Sequence, residues 1–150
     1  MPRQHLPKPQ PIAGGQTDFP KASWAYAGSG SPQSALLSYC WASIRPDEKA
    51  HEATVTPAEK LNYEQAINSR MRLPPGKSRE DVVRQMATES SARLLGFRVV
   101  DQKAISENQV LIHLHVQMAE QSAGPYLDLY AKMQKIGNQW KYDGWSKPPG

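Results

Sequence analysis

An alternation of apolar and polar residues over Gln109–Met118, interrupted at Leu111, constrains the fold more than any other feature of the chain. Every second side chain in this run is apolar, and His113 and His115 fall on the opposite face. Such a pattern predicts a strand that is buried on one face. Two further alternating runs follow over 126–136 and 139–145, with a Gly-Asn turn between them. The three runs together predict an antiparallel meander.

The segment before the meander predicts three helices. Each would begin after a hydroxyl residue that can cap its first turn, namely Ser31, Thr56 and Ser78. The polar residues 47–55 are compatible with one further helical turn. Residues 97–105 predict the first strand. We therefore expect an α+β domain with three N-terminal helices packed on a curved four-stranded antiparallel sheet, which is a cone-shaped roll.

The two ends of the chain lack periodic apolar residues. Five of the first twenty residues are proline, so we assign residues 1–22 to a linker, 23–146 to the domain and 147–150 to a tail. A linker at the start suggests that the chain is the C-terminal part of a longer protein. No apolar run reaches the ~18 residues of a membrane span, so direct membrane insertion is not expected, and the compartment stays open.

Composition excludes several classes of site. The chain has 150 residues, one cysteine and a formal net charge of +4, so it holds neither an internal disulfide nor a paired-cysteine zinc site. Cys40 lies on the apolar face of the first helix, where we expect a buried, inert thiol. The basic residues within 70–84 are mixed with acids and lack aromatic neighbours, so we expect no nucleic acid as partner. No motif points to a cofactor.

The register of the second and third strands follows from aligning their apolar faces, because a one-residue slip would expose the whole apolar set. Leu114 is then opposite Leu129, and His115 is opposite Asp128. None of the side chains predicted on the inner face ionises near neutral pH. This inner wall would consist of Val110, Ile112, Leu114, Val116, Leu127, Leu129, Ala131, Met133, Trp140 and Tyr142.

The outer face of the same strands is both aromatic and polar. Aromatic side chains mixed with histidine and lysine are typical of protein interfaces, so we expect a homodimer or a partner protein on this face. The alternative is a solvated sheet face that aromatic pairs stabilise across neighbouring strands. The predicted interface residues are His113, His115, Tyr126, Tyr130 and Trp145, with Trp145 opposite Tyr130.

A second interpretation of the outer face is a metal site. His113, His115 and Asp128 fall at neighbouring positions there, and they supply the donor set of a two-histidine, one-carboxylate centre. The pattern is short, and histidines on an outer sheet face are more often surface or interface residues. We therefore expect no metal, and this site is kept as the alternative.

The last two strands and the start of the domain carry a resemblance to a known superfamily. Residues 127–142, LDLYAKMQKIGNQWKY, resemble the nuclear transport factor two-like superfamily, where a lysine-containing turn with Gly often precedes Trp-Lys. Residues 23–28, 31–32 and 39–42 resemble a group of uncharacterised bacterial accessory domains of this cystatin-like superfamily. Such domains tend to lie at the C-terminal end of longer chains, behind a membrane anchor or a sigma-factor-like region.

The resemblance implies a cone with an apolar pocket between the helices and the sheet. Aromatic and apolar residues on the predicted inner faces are the candidates to line it, although filling of the core is the alternative role for them. These pocket candidates are Trp41, Tyr63, Met86, Leu114, Leu129, Trp140 and Tyr142.

Enzymes of the superfamily, similar to ketosteroid isomerases and polyketide cyclases, place an acid or a histidine inside the cone as general base. The alternative function is thus an enzyme acting on a small hydrophobic carbonyl compound, with Asp101 as base and Tyr142 as hydrogen-bond donor. A two-residue turn at 107–108 would direct Asp101 inward, whereas a three-residue turn would direct Gln102 inward. Because the inner wall lacks a base, we expect a non-catalytic accessory domain that binds a partner or a small apolar ligand.

Overall fold

The fold is described from a computed structural model over residues 6–74, 76–119 and 126–146, without the side chain of Tyr126. A five-stranded antiparallel sheet carries four helices, so the protein is of the α+β class. The elements in chain order are strand β1 (Asp18–Pro20), a 3₁₀ turn (Lys21–Ser23), helices α1 (Pro32–Ser43), α2 (Glu48–Thr54), α3 (Pro57–Met71) and α4 (Arg79–Arg93), and strands β2 (Leu94–Ser106), β3 (Gln109–Met118), β4 (Tyr126–Ile136) and β5 (Gln139–Ser146).

The predicted order of three helices followed by four strands is wrong. The sheet has the strand order β1-β2-β3-β4-β5, and the helices lie between β1 and β2 in the chain. Helix α2 is the additional helix, and Asp47 caps it by accepting a hydrogen bond from the Ala50 N–H at 3.1 Å. Strand β1 has only three residues in a proline-rich segment, which is too short to show an alternating pattern.

Strand β1 lies inside the segment assigned to a linker and contributes to the core. Phe19 is 1% exposed, and its ring stacks on Phe97 with centroids 5.1 Å apart. Trp24 covers the same ring and donates from Nε1 to the Phe19 carbonyl at 2.8 Å. The sheet can approach this segment closely because Gly96 has no side chain between β2 and β1. Part of the predicted linker is thus structural.

The predicted pairing of β3 with β4 is confirmed. Leu114 pairs with Leu129, and His115 pairs with Asp128. Ile112 is 0% exposed on the inner face, as the alternation requires. Helix α1 packs across this face against β3, β4 and β5, so the main core lies between α1 and the sheet.

Bulges along β2 decide which side chains face inward. The two-residue turn at Glu107 and Asn108 is present, but register shifts leave Val100 and Ile105 without cross-strand partners. Each bulge shifts the pairing by one residue. Asp101 consequently pairs with His113 on the outer face, while its neighbour at position 102 pairs with Ile112 on the inner face.

A bulge in β5 moves Trp145 to the inner face, so the predicted pairing of Trp145 with Tyr130 is wrong. The β4–β5 register shifts between Ala131 and Met133, and Trp145 pairs with Ala131 instead. Gly144, within the bulge, has φ +104°, a conformation that glycine adopts at no steric cost. The alternation alone could not show this extra residue.

An ion-pair cluster connects three of the helices. The Arg79 guanidinium at the start of α4 contacts Glu48 of α2 at 2.6 Å and Glu64 of α3 at 2.7 Å. Ile67 and Val82 pack between α3 and α4 in a second, smaller core. No helix in the described ranges combines the length and the apolar character that crossing a membrane requires.

Replacing Gly96 with alanine should destabilise the protein, because the new Cβ would lie 2.8 Å from the Pro20 Cα and 2.9 Å from the Phe19 carbonyl oxygen. Both neighbours are backbone atoms, so β1 must shift; we expect a loss of about 1–3 kcal/mol in the free energy of unfolding, measured with urea. The matched control is Gly30→Ala, whose Cβ would meet no atom within 4 Å. Equal stability of the two variants would contradict the position of β1.

Candidate functional site

An apolar cavity of about 290 Å³ lies between α1, the end of α4 and the inner face of the sheet. Its volume is close to the lower limit of the ~300–1,000 Å³ that is usual for small-molecule sites. The sheet contributes most of the wall, helix α1 contributes one side, and Ser90 and Arg93 of α4 contribute polar groups. The residues from the sheet and α1 are Leu36, Tyr39, Cys40, Leu94, Phe97, Leu114, Val116, Met118, Leu127, Leu129, Ala131, Tyr142 and Trp145, and Trp24 completes the wall.

The structure brings only part of the predicted pocket together. Leu114, Leu129 and Tyr142 line the main cavity. Tyr63 and Met86 line a separate cavity of about 120 Å³ between the helices.

Trp41 and Trp140 line neither of these two cavities. Both side chains are buried in the main core, where Trp41 packs against Tyr26 with ring centroids 5.7 Å apart. Filling of the core is therefore their role.

Besides Arg93, two tyrosines and the cysteine are the titratable side chains of the cavity wall. Tyr39 stacks on Tyr142 with centroids 3.7 Å apart. Cys40 borders the cavity and is half-buried, and this burial raises the pKa of its thiol to about 12. Burial likewise raises the pKa of both tyrosines well above the usual value for a phenol. These groups stay protonated at neutral pH.

No acid or histidine lines the cavity in the part of the chain that the structure describes. Asp101 lies on the other side of the sheet, in a groove of about 340 Å³ with His113 and Tyr130. The general base of the enzyme interpretation is therefore separated from its hydrogen-bond donor, Tyr142, by the thickness of the sheet. A proton-transfer role for the pair finds no support in this arrangement.

The cavity opens where its lining residues are accessible to solvent. Leu127 is 39% exposed and Trp145 is 55% exposed, so these apolar side chains mark the mouth. Arg93, also exposed, lines the cavity from the last turn of α4. The mouth therefore combines apolar surface with one cation.

The outer face retains most of its predicted histidine and aromatic residues. The His113 Nε2 is 2.5 Å from the Asp128 Oδ1, and the His113 ring lies edge-on to Tyr130 with centroids 4.8 Å apart. The side chain of Tyr126 is outside the described residues, and Trp145 lies on the inner face. Dimerisation through the outer face stays a prediction, without a contribution from Trp145.

His51 is a buried residue that the sequence pattern did not indicate, because it lies in a short helix of mostly polar residues. It is 8% exposed, stacks on Tyr63 with centroids 3.9 Å apart and lies beside Tyr39. Its Nδ1 has no hydrogen-bond partner in the described part of the chain. Burial lowers the pKa of His51 to about 4.

Protonation of His51 should make the protein less stable in mild acid. The unfolded chain binds this proton near the ordinary histidine pKa of 6.5, whereas burial in the folded chain lowers the pKa to about 4. We expect about 2 kcal/mol of the free energy of unfolding to be lost between pH 7 and pH 4.5 through this residue. Urea unfolding of the wild type and of His51→Phe at both pH values measures this loss in the free energy of unfolding. Equal losses in the two proteins would show that His51 is not the residue responsible.

Cys40 should react slowly with iodoacetamide while the chain is folded. Its raised pKa leaves very little thiolate at pH 7.5, and the thiolate is the reacting form. We expect labelling, followed by mass spectrometry, at least about a hundredfold slower than in urea-unfolded protein. Comparable labelling rates in folded and unfolded protein would show that folding neither shields the Cys40 thiol nor reduces its ionised fraction.

Comparisons with known proteins show a structural similarity but assign no family. The chain matches no protein-family model and no curated protein. Among solved structures it is similar to the solution structure of a SEC-C motif containing protein from Rhodopseudomonas palustris, with a TM-score of 0.54 and 14% sequence identity. The match covers 81% of this chain and 82% of that chain. At this identity, the likeness shows the fold alone.

Proposed function

We propose that this chain is a nuclear transport factor two-like accessory domain that binds a small apolar ligand in the cavity between α1 and the sheet, without acting on it chemically. The observation that carries the proposal is the cavity itself. Its wall is formed largely by aliphatic and aromatic side chains and opens to solvent beside Leu127 and Trp145. A pocket with mostly apolar walls and few polar groups is the usual form of a small-molecule site.

The chemistry of the wall favours binding over catalysis. Tyr39, Cys40 and Tyr142 are held in their neutral forms by burial, so they offer hydrogen bonds but no base at neutral pH. An apolar ligand entering the cavity would gain about 25 cal/mol for each Å² of apolar surface removed from water. The hydroxyl groups of the stacked tyrosines can orient a ligand that has a polar atom at its inner end.

The mouth of the cavity favours a ligand with one polar end. Ser90 and Arg93 are the polar residues that α4 contributes to the wall, whereas the sheet side is apolar. A molecule with an apolar body and a carboxylate would bury the body and leave its charged group near the Arg93 guanidinium. Short-chain or ring-containing carboxylic acids are therefore among the first compounds to test.

Introducing a charge at the mouth should weaken ligand binding. In Leu127→Lys the ammonium group would replace apolar wall, and we expect the affinity for an uncharged probe, N-phenyl-1-naphthylamine, to fall at least about tenfold because the site loses apolar contact area. The measurement is a fluorescence titration of the full chain. Leu127 is already 39% exposed, so the variant should fold.

The matched control for this experiment is Leu61→Lys. Leu61 is 62% exposed on α3 and does not line the cavity, so this variant should bind the dye as the wild type does. Octanoate, added as a competitor, should displace the dye from both the wild type and the control. Absence of saturable dye binding by the wild type, or equal weakening in both variants, would reject the cavity as a ligand site.

A further inference from the structure

Two histidines and an aspartate converge on the outer face of the sheet, opposite the cavity. His113 and His115 are two residues apart on β3, and Asp128 on β4 is the cross-strand partner of His115. The Asp128 Oδ1 lies 2.5 Å from the His113 Nε2 and 3.4 Å from the His115 Nε2. One donor atom from each of the three side chains lies within 4.8 Å of the others.

These distances are close to those that a metal ion requires. Imidazole nitrogen and carboxylate oxygen bind Zn²⁺ at about 2.0–2.2 Å, so neighbouring donors of a tetrahedral ion stand about 3.3–3.6 Å apart. The His115–Asp128 pair has this separation already. The His113–Asp128 pair must open by roughly 1 Å, and the Asp128 side chain is 50% exposed, which leaves its carboxylate room to turn.

The backbone and an aromatic neighbour hold the donors in place. The three residues lie on adjacent strands that pair without a register shift from Gln109 to Gln117, so their Cα positions are set by the ladder. The Tyr130 ring contacts His113 edge-on at 4.8 Å and limits the rotation of that imidazole. Sites on rigid strands with packed donor rings need little reorganisation to bind an ion.

We propose that His113, His115 and Asp128 form a binding site for a first-row divalent cation of the Zn²⁺ type. Two imidazoles and one carboxylate suit such ions, and three protein donors leave at least one coordination position for water or an external ligand. The donor side chains are 20%, 39% and 50% exposed, so solvent can reach the ion. The site is independent of the ligand cavity, because it lies on the other face of the sheet.

Isothermal titration calorimetry of the full chain with ZnCl₂ tests the proposal. We expect one ion per chain in the wild type and at least a tenfold loss of affinity in Asp128→Asn and in His115→Gln. Both changes are at exposed or half-exposed positions and keep the size of the side chain, so the variants should fold. Zn²⁺ should also raise the thermal midpoint of the wild type, and raise that of Asp128→Asn less at the same Zn²⁺ concentration.

The matched control is Asp101→Asn, which removes a carboxylate from the same face of the sheet, across from His113 but outside the three donors. This variant should bind Zn²⁺ as the wild type does. No binding by the wild type would overturn the proposal. Undiminished binding in both donor variants, or equal loss in Asp101→Asn, would also overturn it, because the ion would then be held elsewhere or by diffuse surface charge.

Discussion

The pairing of β3 with β4 is the constraint on which the rest of the structure depends. One register places Leu114 opposite Leu129 on the inner face and His115 opposite Asp128 on the outer face. A slip of one residue would exchange the two faces, burying the histidines and exposing Ile112, which is 0% exposed in the fold. The apolar wall of the cavity and the histidine–aspartate cluster are therefore two consequences of a single alignment.

Bulges then adjust this regular pattern in β2 and β5. The bulge at Ile105 of β2 places Asp101 on the outer face, and the bulge at Gly144 brings Trp145 to the mouth. Beyond the three residues that pair with β1, strand β2 is a sheet edge, and bulges on an edge also hinder pairing with other chains. The bulge in β5 thus shapes the mouth of the cavity, and the bulges in β2 hinder pairing with other chains.

The two faces of the sheet have opposite chemistry. On the inner face, burial raises the pKa values of Tyr39, Cys40 and Tyr142, so these side chains stay protonated at neutral pH. On the outer face, the partly exposed imidazoles of His113 and His115 lie beside the Asp128 carboxylate. The sheet thus separates the apolar cavity from the histidine–aspartate cluster.

The sequence by itself determined the meander and the pairing of β3 with β4, because a one-residue slip would expose the whole apolar set. It also determined the starts of α1, α3 and α4, where Ser31, Thr56 and Ser78 accept hydrogen bonds from N–H groups of the first turn. Only the tertiary structure decided the remainder. A three-residue strand around Phe19 has no local pattern and becomes a strand through packing on Phe97.

Tertiary packing also decided which residues line the cavity. Leu114, Leu129 and Tyr142 were predictable from their strand faces, whereas Trp41 and Trp140 proved to fill the core. A bulge adds one residue without changing the local sequence pattern. Alternation therefore could not show that Asp101 lies on the outer face of the sheet and Trp145 on the inner face. The burial of His51 likewise depends on helices that meet only in the folded chain, where α1, α2 and α3 bring its ring between Tyr39 and Tyr63.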